Sequence, residues 1–297
     1  RLDRWSISDG DLREWLLASG APLRDDRFAS RSGWLPTARL GGAFDAGKGW
    51  SVRSGAYLGW RLPTLNELFR PFRAGLDATA ANAELEPERL RGAEIGIGYQ
   101  RPGIALSLTA FSNRLEEGIA NVALGQGPGV FPGAGFVPAG GEFRQRRNLD
   151  AVTSRGVEAS AEFTNGPWLA RGGLSLVKAR VRAAGSAGQL DGLRPAQTPS
   201  LSVTGSVGWE RGVRSLILSA IHTGAQFEDD SNLRKLDPAT TFDALASWPL
   251  LNRLLLVVRG ENLLNERVVA GIGGDGAIER ATPRTIWVGV RFGGRAD

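Results

Sequence analysis

Apolar and polar residues alternate with a period of two along most of this chain. In 200–209, Leu201, Val203, Val207 and Trp209 share one face, opposite Ser200, Ser202, Thr204 and Ser206. In 93–100, Ala93, Ile95, Ile97 and Tyr99 oppose Glu94, Gly96, Gly98 and Gln100. The same pattern runs through 156–163 and 285–292, and through 37–44, 50–61, 104–109, 241–248 and 253–262. Successive side chains of a strand point to opposite faces, so each stretch predicts a strand with one apolar and one polar face.

A soluble sandwich alternates in the same way, but strand and connection lengths separate the two cases. The strands are long, about ten residues, which suits a tilted bilayer crossing. Connections alternate between short (near 45–48, 101–103, 164–167, 210–212 and 249–252) and long (20–34, 62–88, 118–148, 183–197, 229–238 and 264–283). Outer-membrane barrels join short periplasmic turns and long extracellular loops in this rhythm. The fold class is therefore all-β, an antiparallel transmembrane β-barrel. Counting gives about thirteen strands, including weak ones at 1–8 and 11–19, where an independent barrel has an even number. The odd count implies unpaired edges, a partial barrel with earlier strands missing, and no closed, heat-resistant monomer from this chain alone. Trp50, Trp60, Trp168, Trp209 and Trp248 fall on apolar faces, several beside short turns, as girdle residues do.

Composition narrows the function. The chain has 297 residues and neither Cys nor Met. Thiolate metal sites, catalytic thiols and disulfides are excluded, and the missing Met suggests a mature product or a fragment. No apolar run reaches the roughly 20 residues of a membrane helix. The net charge of +5 comes from scattered Arg, without the clustered basic run of a nucleic-acid binder. One His is present, His222. A Ser-His-Asp hydrolase would have to use it, with Asp229 or Asp230 as the acid, but no Ser-centred elbow accompanies it. No catalytic residue, metal site or cofactor is assigned, and Glu228-Asp229-Asp230 reads as a solvated loop tip or an acidic cation site. The glycines of 125–141 precede no helix, so they read as a flexible lid and not as a phosphate loop.

Three segments carry a resemblance. Trp60-Arg61-Leu62-Pro63-Thr64-Leu65-Asn66-Glu67-Leu68 is followed by Asn82-Ala83-Glu84-Leu85-Glu86-Pro87-Glu88. Glu261-Asn262-Leu263-Leu264-Asn265 comes later, and Pro283-Arg284-Thr285 leads into a last strand ending at Phe292. Their order and spacing are similar to the barrel of TonB-dependent outer-membrane receptors. Two departures are Ala83, where that family usually has Pro, and 293–297, which follows the final aromatic as a short tail. The motif residues are Arg61, Pro63, Thr64, Glu67, Leu68, Asn82, Pro87, Glu88, Glu261, Asn262 and Phe292. The resemblance implies that 1–292 is the C-terminal part of a 22-stranded barrel whose plug domain lies outside this chain. It also implies active import of a scarce ligand, most often a ferric siderophore, with TonB engaged through the plug.

Arg70, Arg73, Arg144, Arg146 and Arg147 cluster in the two longest loops. Arg forks bind carboxylate or phosphate, so Arg70, Arg73, Arg144 and Arg146 are expected to face the outer mouth and capture an anionic ligand. Phe131, Phe136 and Phe143 offer aromatic contact. The same Arg could instead touch lipopolysaccharide phosphates, and outer-membrane lipid is a partner on either reading. A passive porin-like channel is the alternative function, with an outer-membrane hydrolase behind it.

Overall fold

The computed structural model describes residues 1–251 and 253–292, so the expected tail, 293–297, lies outside the described residues. Along the chain, β1 (Leu2–Ile7) and β2 (Asp11–Trp15) run outward and turn over at 16–21. They return through β3 (Pro22–Arg27), β4 (Arg31–Pro36) and β5 (Ala38–Gly47). Next come β6 (Trp50–Arg61), the short helix α1 (Leu65–Phe69), β7 (Phe72–Ala74), β8 (Asp77–Ala80), β9 (Glu88–Arg101) and β10 (Ile104–Glu116). A loop carrying β11 (Ile119–Gln126), β12 (Gly129–Phe131), β13 (Gly135–Val137) and β14 (Glu142–Asn148) leads to β15 (Ala151–Asn165) and β16 (Trp168–Arg182). A 3-10 turn at Gly185–Leu190 precedes β17 (Leu201–Arg211), β18 (Arg214–Thr223), β19 (Gln226–Phe227) and β20 (Lys235–Leu236). The chain ends through β21 (Ala239–Leu251), β22 (Leu254–Glu261), β23 (Val269–Ile272), β24 (Ile278–Arg280) and β25 (Thr285–Phe292).

Eleven strands form one sheet in the order β25-β22-β21-β18-β17-β16-β15-β10-β9-β6-β5. Every neighbour is antiparallel, and β15 and β16 pair over fifteen residues each. Among the described residues β25 and β5 are not paired with each other, so the wall is open at two edges. The N-terminal arm differs from the sequence reading. β1 pairs with β4 and β2 with β3, so 1–8 and 11–19 are successive parts of one arm, not two adjacent strands. Much of the expected loop 20–34 is strand as well. Counted as runs, β1–β2 is one crossing and β3–β4–β5 another, which makes twelve among the described residues, and the parity argument built on thirteen does not hold.

The alternation maps onto two faces with different chemistry. Pairing aligns Ile95, Ala110, Val157 and Leu176 in one row and Ile97, Leu108, Ala159 and Leu174 in the next. These apolar rows stay open: Ile95 is 59% exposed and Val288 68%. On the opposite face, side chains two strands apart meet over an intervening glycine. Arg53 Nη2 donates to Thr109 Oγ1 at 2.9 Å across Gly96, and Tyr57 Oη donates to Asn113 Oδ1 at 2.7 Å across Gly92. A Cβ on Gly92 would lie 2.1 Å from Asn113 Oδ1, so glycine is what permits the bridge. Such reach across a strand marks the concave face, which also carries the Arg171–Glu162 pair at 2.9 Å and the Ser107–Ser160 hydroxyl pair at 2.7 Å. The apolar residues are therefore outside and the polar ones inside, the arrangement of a membrane barrel.

Aromatic side chains ring the short-turn end of the outer face. Trp50 and Tyr99 pack at 4.7 Å, Trp209 and Trp248 stack at 6.3 Å, and Trp168 is registered opposite Trp209. Two buried clusters sit instead among the long loops. One joins Val122, Leu149, Val181, Ala187 and Leu190; the other joins Ala78, Ala80, Val137 and Phe143. Solvent borders this cap, so its apolar groups must bury each other, whereas those of the wall face lipid.

Candidate functional site

The site is built on a small sheet above the wall, in the order β11-β14-β8-β7, with β8 and β14 parallel. The motif read at 60–88 anchors it. Thr64 caps α1: its Oγ1 accepts the Glu67 amide at 3.2 Å, and Glu67 Oε2 accepts the Thr64 amide at 2.6 Å. This reciprocal capping box satisfies two donors that a helix start otherwise leaves open. Arg61 then joins Glu67 at 3.0 Å to Glu88 at 2.5 Å. Burial alone would raise the Glu67 carboxyl, but hydrogen bonds from Arg61 and Thr64 outweigh it and hold it below the ordinary range. Glu88 Oε1 accepts the Ile119 amide at 2.8 Å, which fixes where β11 starts. Leu68 is buried, and Asn82 Nδ2 donates to the Arg146 carbonyl at 3.0 Å. Pro63 and Pro87 are buried beside these contacts.

The C-terminal motif works in the same way. Asn262 is 5% exposed and adopts a positive φ of 47°. Its amide donates to Asp243 at 2.8 Å, and its side chain bridges the Glu266 backbone and the Thr282 carbonyl. Glu261 pairs with Arg259 at 2.6 Å, and Phe292, registered opposite Leu254, ends the last described strand on the apolar face. The motif residues thus hold loops on wall strands.

Two clefts open in this cap. The first, about 730 Å³, is lined by Asp77, Glu142, Glu228, Asp229, Asp230 and Asp275, with Arg144 and Arg234 as its cations. Arg144 is held by Asp77 at 2.9 Å and Glu142 at 2.5 Å. Asp229 accepts the Leu233 and Arg234 amides and pairs with Arg234 at 3.0 Å. Burial would raise its carboxyl, but those contacts outweigh burial and lower it. Asp230 goes the other way: burial and the neighbouring Asp229 raise it, against an Ala196 amide and the more distant Arg144. Among the described residues Glu228 Oε2 is buried without a hydrogen-bond partner. Among the described residues no group of three His, Cys, Asp or Glu side chains is arranged to hold a metal ion.

The second cleft, about 1110 Å³, has the opposite charge. Arg24, Arg70, Arg73 and Arg146 line it with Phe72, Phe131 and a single acid, Glu14. Arg146 Nη1 donates to the Asn66 and Arg70 carbonyls at 2.6 and 2.8 Å, and its guanidinium lies 5.5 Å from the Phe72 ring centre. Burial lowers its pKa, and Glu67 opposes that shift. Arg73 donates to the Ala134 carbonyl at 2.5 Å, while Arg70 stays exposed.

Of the residues expected to face one mouth, Arg70, Arg73 and Arg146 come together, and Phe131 joins them. Arg144 lines the other cleft. Phe143 is 8% exposed and stacks on Phe131 at 4.6 Å, so it forms the floor of the cap, while Phe136 is 58% exposed outside both clefts. The glycine-rich stretch forms the β12–β13 hairpin and is not a structureless lid. Sequence reasoning missed Arg24, which reaches the cleft on the N-terminal arm. His222 lies on the lipid-facing side of β18 and shares a 2.8 Å hydrogen bond with Thr240 Oγ1. Among the described residues it has no carboxylate partner.

A long-strand antiparallel wall with an apolar outside, a polar concave face and clefts in its outer loops defines an outer-membrane β-barrel wall. The chain belongs to the TonB-dependent receptors: the family model described as TonB dependent receptor-like, beta-barrel, matches residues 1–263. It is 24% identical over 260 residues to the vitamin B12 transporter BtuB of Photobacterium profundum, covering 87% of this chain and 38% of that protein. It is 28% identical over 161 residues to an iron-regulated outer membrane virulence protein of Vibrio cholerae, covering 53% and 23%. The copper transporter OprC shares its fold with a TM-score of 0.70 at 17% identity, over 98% of this chain and 43% of that one. The ferric yersiniabactin uptake receptor FyuA of Yersinia pestis does so at 0.67 and 17% identity, over 98% and 41%. The chain spans less than half the length of these relatives. Its place is the bacterial outer membrane, as the family and the apolar outer face require.

Proposed function

We propose that this chain is the wall and outer-loop part of a receptor that actively imports a scarce anionic ligand of ferric-siderophore type. TonB would supply the energy through a plug domain seated on the concave face. The observation that carries this reading is the second cleft, at the long-loop end of the wall: Arg70, Arg73 and Arg146, none of them in an ion pair among the described residues, gather there with two aromatic side chains, while Arg24 is held by Asp26. A guanidinium fork binds carboxylate or catecholate oxygens in pairs, and the Phe72 and Phe131 rings give flat apolar contact to an aryl chelate. Arg144 is compensated by Asp77 and Glu142, so it shapes the neighbouring cleft. Lipid and lipopolysaccharide of the outer leaflet are read as the partners of the outer face.

The test is affinity of the protein, as its native gene encodes it, for a radio-iron tris-catecholate. Arg70→Glu with Arg73→Glu should weaken binding at least about tenfold, and Arg70→Ala with Arg73→Ala less, because reversal adds repulsion to the lost attraction. High salt should reproduce part of the loss. Unchanged affinity in the double Glu variant would end the capture reading.

A further inference from the structure

Between the apolar band and the loops, the outer face of four adjacent strands turns basic. Register places Ala93, Ser112, Arg155 and Lys178 in one row across β9, β10, β15 and β16. The next row toward the loops is Arg91, Arg114, Thr153 and Arg180. By alternation these residues share the face of Ile95, Ala110, Val157 and Leu176, whose row begins immediately beneath. Five cations thus occupy two rows. One carboxylate, Glu116, answers them, paired with Arg91 and with Arg114 at 3.1 Å.

Arg155 and Lys178 stand directly opposite each other, both exposed, and among the described residues neither forms an ion pair. Like charges in that position repel and cost stability unless an anion lies between them. With strands about 4.8 Å apart, the two rows cover roughly 14 Å along the wall, the scale of a headgroup bearing more than one phosphate. The patch is local: in β6 the same two rows continue as Ala56 and Leu58, which carry no charge.

We propose that this patch binds the phosphate groups of a phosphorylated outer-leaflet glycolipid, of lipopolysaccharide type, whose acyl chains lie along the apolar rows below. Arg155 and Lys178 form its centre, and Arg91, Arg114 and Arg180 form its rim. Guanidinium and ammonium donors meet phosphate oxygens at the depth where headgroups sit, and the bound anion removes the Arg155–Lys178 repulsion. The site rests on the lipid-partner reading and is independent of ligand capture by the loops.

The test uses the protein as its native gene encodes it, purified in detergent, with bound lipid counted by native mass spectrometry. Two probes are compared, a bis-phosphorylated lipid A and its enzymatically dephosphorylated form. The wild type should prefer the phosphorylated lipid. Arg155→Gln with Lys178→Gln should lower that affinity roughly tenfold or more and leave the dephosphorylated form unchanged. Arg155→Lys with Lys178→Arg should restore binding, which separates charge recognition from a packing defect. If the Gln variant binds like the wild type while the phosphate preference persists, the patch is overturned and the lipid-partner reading survives. If the wild type itself shows no phosphate preference, the lipid-partner reading fails with it.

Discussion

Glu88 offers a sharp test of how the cap is fastened to the wall. Its side chain is 11% exposed, with Oε2 on Arg61 Nε at 2.5 Å and Oε1 on the Ile119 amide at 2.8 Å. Glu88→Ala strands a half-buried backbone N–H, which costs up to about 1–3 kcal/mol. It also removes one of two carboxylates from Arg61, whose side chain is 46% exposed. That ion pair adds no more than about 1 kcal/mol, because solvent screens it. A loss of about 2 kcal/mol at the start of β11 corresponds to roughly thirty-fold faster local opening. The assay is hydrogen–deuterium exchange at the Ile119 amide in the detergent-purified protein. Glu88→Gln should fall between the wild type and Ala, because its one carboxamide oxygen can serve either Ile119 or Arg61 but not both. An Ile119 exchange rate unaffected by Glu88→Ala would refute the reasoning.

Two further predictions concern the apolar band and the acidic cleft. Val203 lies in the apolar band beside Leu174, so Val203→Arg should cost about 2–4 kcal/mol if it sits near the bilayer midplane, read as the unfolding free energy in lipid vesicles. A cost within error of zero would place that face in water. Asp230 has a raised carboxyl, so its stabilising share is present when protonated and is lost as pH rises through the elevated value. Asp230→Asn keeps an acceptor for the Ala196 amide and should therefore stabilise the cap at pH 7, with the gain vanishing near pH 3. A gain equal at both pH values, or a loss at pH 7, would contradict the assigned cause.

The wall was legible because lipid on one side and a polar interior on the other force strict alternation, visible at Ile95 to Tyr99 and at Leu201 to Trp209. The N-terminal arm was not legible for the converse reason. β2 and β3 extend among the loops, where Arg24-Asp25-Asp26-Arg27 carries charge on consecutive residues and the period-two signal disappears. The motif at 60–88 could be found from its residues, yet its work, a capping box tied through Arg61 to Glu88, depends on pairings that appear only in three dimensions. The split between Arg144 and Arg146 was hidden for a similar reason. They are two residues apart on one strand, and what separates them is Asp77, far upstream, which claims the first, and the Asn66 and Arg70 carbonyls, which claim the second. The lipid-facing basic patch was likewise invisible until strand register aligned Arg155 with Lys178.

Active import through an outer-membrane receptor is tested most directly by its dependence on energy. Cells producing the protein as its native gene encodes it are compared with and without TonB, using a radio-iron siderophore that the protein binds. Surface binding should persist in both strains, while accumulation inside the cell should fall to background without TonB. Equal accumulation in both strains would show a passive pore and contradict active import.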